Sequence, residues 1–173
     1  MATGSRCGKS GCVTAASTGF QSSIRIPGKV KLTHKFCGRD ENVKWGSPFD
    51  PAAEAIWVEA TLEGVDGSTR DLILVVDPGT SETIVERRIA EAIGLDVSRS
   101  LGPASDRGAS GVQKGYYTGT VSLKVFGRRV AGFQVAACPF DEDLETDGLL
   151  GLDFFRGLIV TMDLKHGWLT LEE

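Results

Sequence analysis

The sequence predicts a mostly β domain with one or two short helices, and three observations support this prediction. The chain of 173 residues contains 22 glycines together with scattered β-branched residues, which is typical of a fold rich in strands and turns. From residue 51 onward, several short segments alternate apolar and polar residues with a period of two. Helical spacing of apolar residues is confined to one longer stretch, residues 81–95.

The N-terminal segment, residues 1–50, differs from the rest of the chain in charge. Residues 1–39 include Arg6, Lys9, Arg25, Lys29, Lys31, Lys35 and Arg39 but no Asp or Glu, although the net charge of the whole chain is -4. Such a split indicates a basic, flexible segment that precedes a separate domain at residues 51–173. Three interpretations remain open: an organelle transit peptide, an arm attracted to anionic partners, or a disordered tail.

The apolar pattern argues against export and membrane insertion. Residues 1–39 lack the apolar core of about 7–15 residues that a secretory signal needs. No apolar run approaches the roughly 18 residues that span a bilayer. We therefore expect a soluble protein without a membrane partner, with an intracellular location favoured and organelle targeting by residues 1–39 left open. Nucleic acid is not expected as a partner, because aromatic residues do not interleave the basic ones.

Three of the four cysteines lie in the basic segment, where a histidine accompanies them. Cysteine and histidine are the usual ligands of structural zinc, although the spacing here is loose. Free thiols are the alternative, and disulfides are not expected without a secretory signal. The candidate zinc ligands are Cys7, Cys12, His34 and Cys37.

The first regular elements are two strands joined by a turn. Residues 56–62 alternate apolar and polar side chains, as expected of a half-buried strand. Asp66-Gly67 favours a tight hairpin turn. The return strand, residues 72–76, is apolar throughout, which indicates that both of its faces are covered.

Further elements follow from the pattern after residue 80. Residues 81–95 repeat their apolar side chains at helical spacing, and Gly94 is a suitable stop, so we expect a helix there. The polar, Gly-rich residues 102–115 indicate a mobile loop or hairpin tip. Apolar residues 149–155 predict the start of a second short helix. The remaining strands are predicted at residues 117–126, 130–137, 158–164 and 168–171.

A carboxylate stands at the end of the buried strand. Asp77 directly follows residues 72–76 and precedes Pro78-Gly79. A buried, unpaired carboxylate is costly, so it usually neutralises or finds a partner. Two carboxylates about 3 Å apart share a proton, and such a pair can activate a water and polarise a peptide carbonyl. Asp77 is therefore a candidate catalytic residue, and an ordinary turn aspartate before Pro-Gly is the alternative.

Two motifs resemble one enzyme family. The segment Asp77-Pro78-Gly79-Thr80-Ser81, preceded by Leu74-Val75-Val76, resembles the Asp-Thr/Ser-Gly-Ala/Thr-Ser loop of retropepsin-like aspartic proteases. The later segment DGLLGLDFF, residues 147–155, is similar to the second signature of that family. The resemblance extends over residues 55–171. It implies a retropepsin-like fold, the closed β-barrel half of an acid protease, as in single-domain bacterial-type and retroviral members.

The resemblance also implies a role for each site residue. Asp77 is the catalytic acid or base, Gly79 permits the tight turn, and Thr80 and Ser81 support the loop. A flap closes over an extended peptide substrate, which binds as an added strand. Neither an organic cofactor nor a metal is implied. The flap residues are Gly108, Ala109, Ser110, Gly111 and Val112.

The chain contains one Asp-Pro-Gly loop, so the second carboxylate has to come from elsewhere. Asp153 lacks a following glycine and is expected to cap a helix or to pair with an arginine. The implied partner of Asp77 is Asp77 of a second chain, which makes the enzyme a homodimer with its site on the two-fold axis.

Pro78 departs from the family pattern. It replaces a Thr or Ser whose hydroxyl, in the family, crosses the dimer axis, and proline offers neither a hydroxyl nor an N–H. The sequence therefore supports two functions: an active aspartic endopeptidase, and a catalytically lapsed module of the same fold for dimerisation or peptide binding.

Overall fold

A computed structural model describes residues 44–64, 66–108, 111–119, 121–140 and 145–173. In these residues two short helices, α1 (Arg87–Ala92) and α2 (Leu152–Phe155), accompany a 3-10 turn at Val97–Arg99. No helix of this part of the chain is long and apolar enough to cross a membrane. The strands are β1 (Lys44–Pro48), β2 (Trp57–Glu63), β3 (Thr69–Val76), β4 (Ile84–Glu86), β5 (Gly102–Gly108), β6 (Gly111–Tyr117), β7 (Val121–Val125), β8 (Arg128–Phe133), β9 (Ala136–Cys138), β10 (Gly148–Leu150), β11 (Ile159–Asp163) and β12 (Trp168–Glu172).

The strands form two sheets. The larger sheet has the order β5-β6-β9-β4-β10-β3-β2-β7-β8, and the smaller one has the order β1-β12-β11. Most neighbouring strands are antiparallel, but β10 runs parallel to β3 and β9 runs parallel to β4. The domain is mostly β with two short helices, as the sequence predicts.

The predicted hairpin before Asp77 is confirmed as β2 and β3. Trp57–Glu63 pairs with Thr69–Val75 in continuous register. Leu72, Leu74 and Val76 are buried, whereas Ile73 and Val75, on the opposite face, are half-buried. Strand β3 lies between β2 and β10 in the sheet, and Asp77 follows its last residue, Val76. Asp77 therefore lies at the end of an inner strand of the sheet.

The helix predicted over residues 81–95 is largely wrong. Ile84–Glu86 forms strand β4, and the helix α1 is limited to Arg87–Ala92. Ile84 and Val85 are β-branched and fully buried between β10 and β9, so backbone pairing on both sides outweighs the helical spacing of their side chains.

Two later predictions are wrong in their boundaries. The strand predicted over residues 130–137 is two strands, β8 and β9, because the chain leaves β7 and pairs with β4 and β6 instead. The start of the helix predicted over residues 149–155 is strand β10, which inserts between β3 and β4. Within the Gly-rich stretch, residues 102–108 and 111–115 belong to the paired strands of the hairpin β5–β6.

Two apolar clusters hold the domain together. The larger one joins the buried faces of β2, β3 and β7 to Phe154 and Phe155 of α2 and to β12. The smaller one consists of Ile84, Ala104, Ala136 and Cys138, with Tyr117, Phe140 and Leu149 packed against it. The smaller cluster therefore joins the hairpin β5–β6 to the strands that flank the Asp77 loop.

Strand β1 belongs to residues that the sequence assigned to the N-terminal segment. It pairs along its whole length with β12. The guanidinium of Arg128 lies 5.5 Å from the ring centroids of both Trp45 and Phe154, so cation–π contacts attach β1 to the main core. Residues 1–43 lie outside the described part of the chain, so the flexible basic segment and its boundary remain predictions.

Candidate active site

Asp77 stands where β3 ends, and its backbone is held by hydrogen bonds on both sides. Its N–H donates to the carbonyl of Leu150 (3.1 Å), and its carbonyl accepts the N–H of Thr80 (3.2 Å). Its carboxylate Oδ1 accepts the N–H of Gly79 (2.8 Å). Asp77 is half-buried as a residue, and the exposed hydrogen bond from Gly79 orients its carboxylate while leaving it accessible.

The residues after Asp77 form a short exposed turn. A Cβ added at Gly79 would lie 3.0 Å from Asp77 Oδ1, so glycine allows the carboxylate to approach this amide closely. Pro78 and Ser81 are exposed, and Thr80 is half-buried. The Thr80 hydroxyl donates to the carbonyl of Glu82 (3.3 Å), which is consistent with a supporting role for Thr80.

The second signature packs directly against this loop. Leu152 donates its N–H to the carbonyl of Thr80 (3.0 Å). A Cβ at Gly151 would come within 2.4 Å of the backbone carbonyl of Glu82, and one at Gly148 within 2.2 Å of the carbonyl of Ile84. The two glycines therefore let residues 148–152 lie in contact with the backbone on the C-terminal side of Asp77.

A buried threonine links the loop to α2. Thr83 donates its N–H to Asp153 Oδ2 (2.9 Å) and its hydroxyl to Asp153 Oδ1 (2.7 Å). The Thr83 hydroxyl oxygen also accepts the N–H of Gly151 (3.2 Å). Thr83 is fully buried, and its hydrogen bond with Gly151 is buried, whereas its two hydrogen bonds to Asp153 are partly buried.

The environment of Asp153 differs from the sequence-based expectation. We expected this residue to cap a helix or to pair with an arginine, but both of its carboxylate oxygens bind Thr83, and Oδ1 also accepts the N–H of Phe154. Asp153 is therefore a structural residue that fastens the Asp77 loop to α2. Sequence reasoning missed Thr83, because a lone threonine before an apolar run carries no sign of a partner 70 residues away.

The predicted flap corresponds to the hairpin β5–β6. Gly108 pairs with Gly111 at the described end of the hairpin, and Val112 is 52% exposed. Ala109 and Ser110 lie outside the described residues. The hairpin forms one edge of the larger sheet, where β6 pairs with β9 and β9 pairs in turn with β4.

Two neighbouring tyrosines of β6 hold the base of this hairpin. The Tyr117 hydroxyl donates to Glu82, at 2.7 Å from Oε2 and 3.0 Å from Oε1. The Tyr116 hydroxyl donates to the carbonyl of Leu95 (2.8 Å). The hydrogen bond to the Glu82 carboxylate raises the pKa of Tyr117, and burial raises the pKa of Tyr116. Both hydroxyls therefore stay protonated as donors at neutral pH.

The candidate zinc ligands cannot be placed. Cys7, Cys12, His34 and Cys37 all lie outside the described residues. Within the described residues, no group of three or more His, Cys, Asp or Glu side chains is arranged to hold a metal ion. Cys138 lies in the smaller apolar cluster, where burial raises the pKa of its thiol.

Comparison with known proteins agrees with this geometry. Residues 58–154 match the sequence profile of a family described as aspartyl protease. The chain belongs to the aspartyl protease family. The matched range contains both the Asp77 loop and the second signature, and it ends within α2. No curated protein is similar enough to the chain to count as a match.

The fold of this aspartyl protease family member is retropepsin-like. It is similar to the crystal structure of a retropepsin-like aspartic protease from Rickettsia conorii, with a TM-score of 0.55 and 17% sequence identity. The similarity covers 76% of this chain and 92% of the other. At this identity the comparison establishes the architecture, and the chemistry has to be argued from the site itself.

Proposed function

We propose that this chain is an aspartic endopeptidase whose active site combines Asp77 from each chain of a homodimer. The observation that supports this most directly is the environment of Asp77. Its half-buried carboxylate accepts the amide of Gly79, on a loop whose two sides are fastened to residues 150–153. Such a carboxylate is held in one direction and remains within reach of water and substrate.

The chemistry needs two carboxylates that share one proton. The ionised carboxylate removes a proton from a water molecule while the water oxygen attacks the peptide carbonyl carbon. The protonated carboxylate gives its proton to the carbonyl oxygen, and a tetrahedral diol results. The C–N bond then breaks as the leaving nitrogen accepts a proton from the first carboxylate. The second carboxylate recovers its proton from a diol hydroxyl.

The second carboxylate is assigned to another copy of Asp77 because the nearby alternative is occupied. The Asp153 carboxylate binds Thr83 through both oxygens. A second copy of the same loop meets Asp77 only across a two-fold axis, which requires an isologous dimer. Pro78 is exposed on this loop. The hydrogen bonds that hold the loop within the chain are made by Asp77, Gly79 and Thr80, so they do not require a hydroxyl at position 78.

Cleavage of a peptide library by the wild type and by Asp77→Asn tests the catalytic role. We expect acid-favoured cleavage between about pH 3.5 and 7 for the wild type, and loss of cleavage for the variant. Asp71→Asn is the matched control, because Asp71 lies on the same strand β3 but is exposed and bound to Thr61. Equal cleavage by the wild type and Asp77→Asn would contradict the proposal.

Mixing subunits tests whether the site is shared. Wild-type chains are equilibrated with equal amounts of Asp77→Asn chains, and cleavage is compared with that of wild type alone at the same total chain concentration. If each site takes one aspartate from each chain, total activity falls to about one quarter, because only wild-type pairs are active. If each chain works alone, about half of the activity remains. A result near one half would therefore exclude the shared site.

A catalytically lapsed module for dimerisation or peptide binding is the second candidate, and the replacement of Thr or Ser by Pro78 favours it. In that case neither protein cleaves the library, while sedimentation still shows a folded dimer. Reverting the position with Pro78→Thr then distinguishes the two functions. Cleavage that appears in this variant identifies the loss of the hydroxyl as the cause.

A further inference from the structure

We propose that Tyr117 is a positioning residue that couples the hairpin β5–β6 to the Asp77 loop through Glu82. This inference rests on the proposed function, since it assigns the hairpin as the part that closes over the substrate. The coupling itself is a property of the fold and can be measured without cleavage. Tyr117 does not touch the reacting atoms, and it acts through the backbone that carries Asp77.

Glu82 is the point at which the loop meets the hairpin. Its backbone lies between Thr80, whose hydroxyl donates to the Glu82 carbonyl, and Gly151, where a Cβ would meet that carbonyl at 2.4 Å. The backbone of Glu82 is therefore hydrogen-bonded to the Asp77 loop and closely packed against residues 148–152. Its half-buried carboxylate is bound by the Tyr117 hydroxyl through both oxygens.

Tyr117 is itself fixed at the end of β6. Its carbonyl accepts the N–H of Leu101 (2.9 Å), and its backbone pairs with Gly102 on one side and Ala136 on the other. Its ring packs against the smaller apolar cluster, which contains Ile84 and Ala136. The hydroxyl thus reaches the loop from a rigid strand, so a shift of the hairpin base is passed on to Glu82.

The hydrogen bond is of a strong kind. A phenol that donates to a carboxylate forms a charge-assisted hydrogen bond, which is roughly twice as strong as a neutral one. It also joins segments 35 residues apart in the chain. Tyr116, the preceding residue, points to the opposite face of β6 and binds Leu95 instead. Tyr116 is therefore a natural control for Tyr117, because it is a neighbouring tyrosine whose hydroxyl does not bind Glu82.

Steady-state kinetics of Tyr117→Phe test the positioning role. We expect kcat to fall about tenfold with little change in KM, because the hydrogen bond orients the catalytic loop and makes no contact with the substrate. Glu82→Ala should cause the same loss, and the double variant should be no worse than either single one. Glu82→Gln should restore most of the activity, because its amide oxygen still accepts the phenol.

Thr61→Val serves as the kinetic control. It removes another hydroxyl that donates to a carboxylate, that of Asp71, on the exposed part of β2 and β3 (3.0 Å). We expect its kinetics to match those of the wild type. A rise in KM with unchanged kcat in Tyr117→Phe would overturn the proposal, as would losses in Tyr117→Phe and Glu82→Ala that simply add.

Amide hydrogen exchange provides the test that does not depend on cleavage. In Tyr117→Phe we expect faster exchange both in residues 102–117 and in residues 79–83. Tyr116→Phe should accelerate exchange near Leu95 and in the hairpin but leave residues 79–83 unchanged. Acceleration of the hairpin alone in Tyr117→Phe would overturn the coupling. If this coupling is observed while Asp77→Asn and wild type cleave equally, the coupling stands and the proposed function fails.

Discussion

The hairpins β5–β6 and β7–β8 are built alike but are held in different ways. In β7–β8, Val121, Leu123 and Val125 are at most 4% exposed, so the hairpin is part of the main core. Its turn residues, Phe126 and Gly127, have φ values of 57° and 87°, as expected of a tight two-residue turn. Removing this hairpin from its place would expose the core itself.

The hairpin β5–β6 has little apolar attachment. Among its described side chains, Ala104 and Tyr116 are the buried ones. It is held near its base by polar contacts, and beside the two tyrosine hydrogen bonds the Arg87 guanidinium donates to the carbonyl of Lys114. Hydrogen bonds of this kind can break while the core stays folded. One sheet therefore carries one hairpin that is embedded in the core and another that is held mainly by hydrogen bonds near its base.

The largest predicted difference between the hairpins is in stability. Leu123→Ala in β7 removes a fully buried side chain and should lower the free energy of unfolding by about 3 kcal/mol. Val112→Ala in β6 removes a side chain that is 52% exposed and should change it by less than about 0.5 kcal/mol. Denaturant unfolding measures both. Similar losses in the two variants would show that β5–β6 is as firmly held as β7–β8.

A smaller effect is predicted at the point where β6 passes β9. A Cβ at Gly115 would lie 2.1 Å from the carbonyl oxygen of Ala137 and 2.5 Å from Cys138 Sγ. Gly115→Ala must therefore push β6 away from β9, and we expect a loss of about 1–3 kcal/mol in unfolding free energy. Amide exchange should accelerate in β5 and β6 while β7 and β8 remain protected.

Gly119→Ala is the matched control for this variant. A Cβ at Gly119 meets no atom within 4 Å, so the substitution should be tolerated or slightly stabilising. If Gly115→Ala accelerates exchange equally in β7–β8, the two hairpins do not open independently, which would contradict the proposed difference in how they are attached.

The sequence alone was sufficient for the elements whose local pattern and tertiary environment agree. The alternation in residues 56–62 and the apolar run in residues 72–76 correspond to β2 and β3. Burial in β2 alternates as that pattern predicts, whereas β3 buries one face fully and the other face by half. The position of Asp77 at a strand end followed from the same run. The two-fold arrangement of the site is not contained in one chain, and it remains a proposal.

Other features could not be predicted because they depend on partners distant in sequence. The segment Lys44–Pro48, with Gly46 and a terminal proline, has no strand pattern, and it is extended because it pairs with β12. Ile84–Glu86 belongs to a stretch with helical spacing, residues 81–95, but it is a strand because it pairs with β10 on one side and β9 on the other. The pairing of Thr83 with Asp153 requires the fold before it can be recognised.

The smallest predicted effect is spectroscopic and specific to one hairpin. The chain has two tyrosines, and both lie in β6, so the absorbance change on tyrosine ionisation reports on β5–β6 while β7–β8 is silent. Both pKa values are raised from the ordinary value of 10.0, that of Tyr117 first by its hydrogen bond to Glu82 and that of Tyr116 first by burial. The two titrations should therefore respond differently to Glu82→Gln.

In Glu82→Gln, the pKa of Tyr117 should move down towards its ordinary value, because a phenolate no longer faces a carboxylate, whereas the pKa of Tyr116 should stay raised. Tyr117→Phe leaves Tyr116 as the single titrating tyrosine and assigns the two steps. Because folding raises both pKa values, the stability from these protonated hydroxyls is fully present below about pH 10 and is lost as pH rises through the folded-state values. A titration of Tyr117 that is unchanged in Glu82→Gln would show that the hairpin base is not held by this carboxylate in solution.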